Sequence, residues 1–274
     1  LDPYVGGQLV VAEACRNVSC VGAEPIALTD CLNFGNPERS DVYYQLEECI
    51  KGMAEACRVF GVPVVSGNVS LYNESGDQAI YPTPVVGALG LLEDVTLHCE
   101  SAFQDDDDVV VVLGAAELVG DAVSLAGSEF LEVLHDTVAG QPRLDIDLEA
   151  RVQKLCRTAI GQGFLSSAHD CSEGGLAVAL AESCILGGKG VSVTTSTSGR
   201  WDATLFGEDA SRIVVSVHPD KLAALKKLAA ADDVPLLRLG KVGGDAFKIG
   251  KLLNVPLSEV DHAWRSGLEK LLWD

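Results

Sequence analysis

The groups best suited to chemistry sit at the tips of two apolar stretches. Asp30 closes the run Ala27-Leu28-Thr29-Asp30, and Gly67, Asn68 and Ser70 follow Val62-Pro63-Val64-Val65-Ser66. A strand end carrying Gly, Asn and Ser presents bare amides and short oxygen-bearing side chains where a phosphate or a hydrated metal can approach. Asp30 and Asn68 are hard oxygen donors, suited to a Mg²⁺ that keeps several waters and takes its other ligands from phosphate. Gly67 permits close approach of a triphosphate. Ser70, two residues beyond Asn68, faces the same side of an extended strand and can hydrogen-bond a substrate. Singly, each of these residues is an ordinary turn former. Two such junctions on neighbouring elements support the expectation that both tips converge on one magnesium-bridged triphosphate.

A third junction runs Ser166-Ser167-Ala168-His169-Asp170-Cys171-Ser172-Glu173-Gly174-Gly175-Leu176. Its Ser-Glu-Gly-Gly turn is either an anion-binding helix start or a plain N-cap. His169 beside Asp170 reads as a general base, a metal site or a satisfied half-buried histidine. Three common devices are missing: a Walker A loop, a G-x-G-x-x-G turn and a G-x-S-x-G elbow. A nucleotide at the strand tips must therefore be held by Mg²⁺ on oxygen ligands and by backbone amides.

These groups are positioned by alternating helices and strands. The pattern predicts a helix over 6–22, a strand over 25–32 and a helix capped by Asp41 whose apolar face runs from Val42 to Phe60. A buried central strand then leads to the Gly67 tip, and 79–81 with 84–92 reads as a loose hairpin. After the acid run Asp105 to Asp108, taken as a solvated junction, come a strand over 109–113 and a helix over 129–135. An Asp147-capped helix over 148–161 and a helix over 176–186 follow. Strands are expected over 190–195, 213–217, 235–239 and 246–249, with a helix from Pro219 between the second and third. Ser258 is expected to cap a closing helix with Val260, Trp264, Leu268 and Leu271 inward. The whole reads as two α+β domains, 1–104 and 105–274.

The 274 residues are 47% hydrophobic but only 5% aromatic, which fits an Ala/Val/Leu core. A net charge of −20 argues against nucleic acid or an anionic membrane as partner. Nine cysteines without a C-x-x-C pair read as reduced packing residues of a cytoplasmic protein. The chain starts at Leu1 and its only methionine is Met53, so it is expected to be a piece of a longer polypeptide.

Four ordered motifs carry a resemblance: 28–37 around Asp30, 64–74 around Gly67, 167–177 around Asp170, and Leu205-Phe206-Gly207-Glu208 with Ser211-Arg212. Together they resemble the C-terminal half of phosphoribosylformylglycinamidine synthase, in the synthetase subunit of the multi-subunit type, within the aminoimidazole ribonucleotide synthetase-like superfamily. The resemblance spans the chain to the Ala263-Trp264-Arg265 tail. It implies a two-domain α+β unit, an N-terminal α/β domain whose first strand precedes Leu1 plus a C-terminal α/β domain. The implied activity is an ATP-dependent C–N ligation with glutamine as amido donor, which converts formylglycinamide ribonucleotide to its amidine in purine biosynthesis.

Carried over residue by residue, the resemblance implies ATP contacts at Asp30 and Gly67 and a Mg²⁺ ligand at Asn68. It implies substrate contacts at Ser70 and Ser172 and a second metal position at Asp170. Glu173 stands where the family usually has Asp. The family's catalytic histidines lie in the other half, so no catalytic residue is assigned here and the chain alone is expected to be inactive. Implied partners are that N-terminal half, the glutaminase subunit and the small third subunit, with a homodimer through the N-terminal-type domain as a further expectation. The competing readings are a structural or nucleotide-holding half, and another Mg-ATP enzyme of the superfamily such as thiamine-phosphate kinase.

Overall fold

A computed structural model describes residues 1–76 and 78–273, without the side chains of Lys270, Leu271 and Trp273. Asp77 of the expected polar turn and the side chain of Leu271 thus lie outside the described residues. The first part of the chain runs α1 (Pro3–Cys20), β1 (Glu24–Asn33), α2 (Ser40–Phe60), β2 (Val64–Ser70), β3 (Glu74–Ser75), β4 (Gln78–Ala79) and β5 (Thr83–Leu91). Strands order β2-β1-β5, with β1 parallel to β2 and antiparallel to β5. Helices α1 and α2 cover one face, around Val11, Leu28, Phe34, Val42 and Met53.

The second part runs β6 (Val109–Leu113), β7 (Leu118–Gly120), α3 (Glu129–His135), α4 (Ile146–Gly161), β8 (Leu165–Asp170), α5 (Gly175–Gly187), β9 (Val191–Val193), β10 (Thr197–Gly199) and α6 (Trp201–Phe206). It ends with β11 (Ile213–Val217), α7 (Leu222–Ala231), β12 (Leu236–Val242), β13 (Ala246–Ile249), β14 (Leu253–Pro256) and α8 (Leu257–Trp273). Seven strands order β14-β13-β9-β12-β6-β11-β8. Every residue of the central strands β6 and β11 is buried, because the sheet is covered on both faces. Val152, Leu155 and Leu225 pack on one face and Leu176, Leu180 and Leu205 on the other. The α+β expectation with two domains holds.

Several local expectations give way to better caps and different pairings. Helix α1 starts at Pro3 because the Asp2 carboxylate accepts from the amides of Tyr4 and Val5. Asp145, not Asp147, caps α4 by accepting from Leu148 N. Asp41 lies inside the first turn of α2, paired with Arg39. The hairpin expected of 79–81 with 84–92 does not form: β5 pairs with β1, and the small hairpin is β3 with β4. The central strand β2 is an exposed edge: among the described residues it pairs with β1 alone, and Val65 and Val69 stay open to solvent. At the far end, α8 already includes Leu257 and Ser258. Leu257 and Val260 pack on the core while Leu268 stays exposed.

Helix α1 packs on α2 and β5 and also on α4 and β8, so it lies between the two parts. Its crossing with α2 is close because neither helix has a side chain at the contact. A Cβ on Gly7 would lie 2.3 Å from Cys49 O, and one on Gly52 would lie 1.9 Å from Tyr4 O. Gly52→Ala should therefore lower the unfolding free energy by about 1–3 kcal/mol. Gly161→Ala, whose Cβ meets open space, should be neutral or stabilising by up to about 1 kcal/mol. Urea unfolding of the two variants checks this; equal midpoints would contradict the tight crossing.

Candidate functional site

Strand register decides which tip residues meet. Past a bulge at Leu28/Thr29, Asp30 pairs with Gly67, Cys31 with Asn68 and Asn33 with Ser70. Side chains alternate, so Asp30 and Gly67 share one face while Thr29, Ser66, Asn68 and Ser70 share the other. Contacts agree on both faces. A Cβ on Gly67 would lie 1.9 Å from Asp30 Oδ1, and Ser66 Oγ donates to Thr29 Oγ1 at 3.1 Å. Asp30 lies on the helix side, bordering an open hollow of about 610 Å³ with Leu32, Met53, Cys57, Arg58 and Val64. The convergence of Asp30 and Asn68 on one cation therefore fails, because neighbouring positions of a pleated ladder point to opposite sides.

Beyond the tips, the two motifs are joined by Asn73. Its Nδ2 donates to Phe34 O at 3.0 Å and to Ser70 O at 2.8 Å, and its Oδ1 accepts from Ser70 Oγ at 3.2 Å. Asn73 N donates to Phe34 O and Tyr72 N to Gly35 O. Tyr72 is held at φ 61°, a left-handed conformation that a bulky residue keeps only where its surroundings impose it. Glu74 Oε1 accepts from Asn36 N at 3.3 Å, so the two turns form one rigid rim.

The donor set tests the fit of Mg²⁺ at Asn68. Its face offers a neutral carboxamide and the hydroxyls of Thr29, Ser66 and Ser70. Among the described residues, no group of three or more His, Cys, Asp or Glu is placed to hold a metal. Such donors suit an ion held mainly by phosphate and by carboxylates from elsewhere, not a self-contained cage.

The third junction is built differently from the expectation. Asp170 is buried, and both oxygens are committed within the chain. With its amide oriented to satisfy its neighbours, Asn17 donates to Asp170 Oδ1 at 2.8 Å and Oδ2 at 3.3 Å. Ser172 Oγ also donates to Asp170, Arg16 Nε lies 3.7 Å from Oδ2 and His169 Nδ1 lies 3.5 Å from Oδ1. The lone pairs of Asp170, the expected second metal position, thus face donors of the chain itself. Ser172 is half-buried and gives its proton to Asp170, keeping its acceptor capacity. The amide of Gly174, just ahead of α5, donates to Glu208 Oε1 at 2.8 Å. The expected anion at this helix start is thus a carboxylate of the chain itself, one that burial pushes up in pKa.

The profile of the AIR synthase related protein N-terminal domain matches residues 1–92, and that of its C-terminal domain matches residues 105–250. The chain belongs to the AIR synthase related family. It is 50% identical, over 283 aligned residues, to phosphoribosylformylglycinamidine synthase subunit PurL of Anaeromyxobacter sp. (strain K), covering 99% of this chain and 37% of that protein. To the PurL subunit of Thermomicrobium roseum it is 52% identical, covering 98% of this chain and 36% of that protein. The chain thus spans about a third of the length of these curated relatives. The solved structure of T. maritima PurL complexed with FGAR superposes with a TM-score of 0.75 at 19% identity, over 95% of this chain and 43% of that one. Thiamine-monophosphate kinase from Stenotrophomonas maltophilia superposes with a TM-score of 0.62 at 20% identity, over 91% and 78%. These two likenesses are of fold.

Sequence reasoning missed the partners of Asp170. Arg16 falls four residues after Ala12 and four before Cys20, on the buried stripe of α1, and a cation on an apolar stripe was the available signal. His169 Nε2 meets Glu182 Oε2 at 2.9 Å, placing the ring between two carboxylates. Burial alone would lower the imidazole pKa, but hydrogen bonds with Asp170 and Glu182 outweigh it and raise it to about 9. A raised pKa stabilises the fold fully below the ordinary value near 6.5, and that contribution is lost as pH climbs through about 9. Urea unfolding followed from about pH 6 to about pH 10 should show a loss in wild type that His169→Gln lacks. Parallel profiles for the two proteins would contradict a charged His169.

Proposed function

We propose that the chain is one AIR synthase-like unit, the C-terminal half, of an ATP-dependent phosphoribosylformylglycinamidine synthase, with its internal boundary at 104/105. The observation that carries this reading is the identity of about half of all aligned positions with PurL subunits over nearly the whole chain. T. maritima PurL has been solved in complex with ATP, with ADP and with FGAR, which supports the same substrates here. In this reaction the amide oxygen of formylglycinamide ribonucleotide takes a phosphoryl group from ATP, and glutamine-derived ammonia displaces it as phosphate. The chain supplies binding rather than proton transfer, and the partnering N-terminal half supplies the catalytic residues. The glutaminase and small third subunits are the remaining partners, in a cytoplasmic complex; no helix among the described residues is long and apolar enough to cross a membrane.

The residues divide by face. Asp30 and Gly67 bind ATP at the strand tips, with Asp30 approaching from the helix side beside the hollow next to α2. On the other face Asn68 would hold Mg²⁺, which when bound neutralises phosphate charge, and Ser70 contacts substrate. Ser172 contributes an acceptor oxygen, with Asp170 fixing its rotamer. A second reading, a nucleotide-holding half without a part in turnover, is favoured by one observation: among the described residues, no group of three or more His, Cys, Asp or Glu is placed to hold a metal at Asn68.

In the full-length polypeptide, Asn68→Ala should lower turnover or Mg²⁺ affinity at least about tenfold while assembly is unchanged. Steady-state kinetics with ammonia as donor, alongside size-exclusion chromatography, measures both. Unchanged turnover would favour the holding role. Amidine formation by this chain alone would overturn the assignment of catalysis to the other half.

A further inference from the structure

Helix α1 belongs to the first sheet's cover, yet its second half is inserted into a polar junction with the seven-stranded unit. Arg16 is 4% exposed at its side chain, and its Nη1 donates to Glu149 Oε1 at 2.8 Å, a carboxylate of α4 with no exposure. The same Glu149 oxygen accepts from Gln153 Nε2 at 2.8 Å, and Gln153 Nε2 also donates to Ala12 O of α1 at 3.0 Å. Along the other arm, Arg16 Nε lies 3.7 Å from Asp170 Oδ2, an ion pair without a hydrogen bond, while Asn17 donates to both Asp170 oxygens. Asp170 in turn receives Ser172 Oγ and faces His169, which reaches Glu182 on α5. His98 and Glu100 of the segment linking the sheets, together with Asn17, His169 and Asp170, border a hollow of about 620 Å³ beside this chain of contacts.

Two features set the arrangement apart from an ordinary ion pair. Arg16 stands between carboxylates on two different elements, with Nη1 toward Glu149 and Nε toward Asp170, a spread of donors in one plane that the single-atom charge of a lysine does not reproduce. The acceptor it shares with Asn17 lies two residues before Ser172 and fixes the hydroxyl of that residue. Glu13, also on α1, is raised in pKa first by burial and further by Asp170 and Glu173, which puts a third acid near the same turn. A cation is therefore needed among Glu149, Asp170, Glu13 and Glu173, and α1 provides it.

We propose that Arg16 and Asn17 are positioning residues: reaching across from α1, they hold the Asp170 carboxylate and through it the turn 171–175, so that the two domains turn as one body. Strand tips in the first domain and Ser172 in the second then keep a fixed bearing on each other without any loop closing between them. This holds for the chain whatever it catalyses.

Native-state amide hydrogen exchange of the chain tests the proposal. Arg16→Met should accelerate exchange in the turn 171–175 at least about tenfold more than in the slowest amides of β6 and β11, which report global unfolding. Arg16→Lys restores the charge but not the fork, and should leave the turn between wild type and Arg16→Met. If Arg16→Met does not fold, Asn17→Ala decides: it removes only the donor to Asp170 and should accelerate the same turn by itself. A uniform acceleration of all amides, or an unchanged turn in the folded variants, would overturn the positioning role and leave a plain stabilising pair.

Discussion

The parallel pairing of β1 with β2 is the constraint on which the rest of the site depends. Once Asp30 stands beside Gly67, the pleat assigns every later side chain to one face or the other. Asp30 is sent toward the helices and Asn68 away from them. Gly67 is required at its position because the Asp30 carboxylate already occupies the space where a Cβ would go. Asn73 then ties the rim beyond both strands, so hydrogen bonds add to the burial of Phe34 in holding the tips. That suits an edge strand whose valines stay exposed.

The second sheet relies on a different balance. Its central strands are buried on both faces, and a cluster of buried charged groups gathers where α1 enters. Burying Arg16, Glu149 and Asp170 together is costly unless each charge meets another, and each does. The Asp170 carboxyl shows the competition directly: burial pushes its pKa up, while His169, Arg16 and Ser172 outweigh that and hold it below the ordinary carboxylate range. The junction is thus an internal salt cluster in which a motif that looks like a ligand set serves as a joint.

Much of the architecture was legible from period and punctuation. The run of four valines in β6 and the apolar stripe of α2 are clear in the sequence, and so is the turn at Gly61, where φ is 70°. Caps were less legible, because Asp2 and Asp145 compete with equally plausible neighbours and only the backbone geometry chooses. The pairing of β5 with β1 was hidden, since nearness in sequence favoured a local hairpin. At the site, residue types were readable but directions were not. A bulge and a register, neither written in any single motif, put Asp30 and Asn68 on opposite faces. The partners of Asp170 were hidden because they lie on α1, far away in sequence.

A double-mutant cycle on nucleotide affinity tests this division of faces most directly. Calorimetry of Mg-ATP binding to the full-length polypeptide would compare wild type, Asp30→Ala, Asn68→Ala and the double variant. Groups on opposite faces of the sheet do not share a cation, so the two losses should add to within about 0.5 kcal/mol. A coupling above about 1 kcal/mol would mean that both side chains grip one ion–phosphate cluster, and the two-faced site would be wrong.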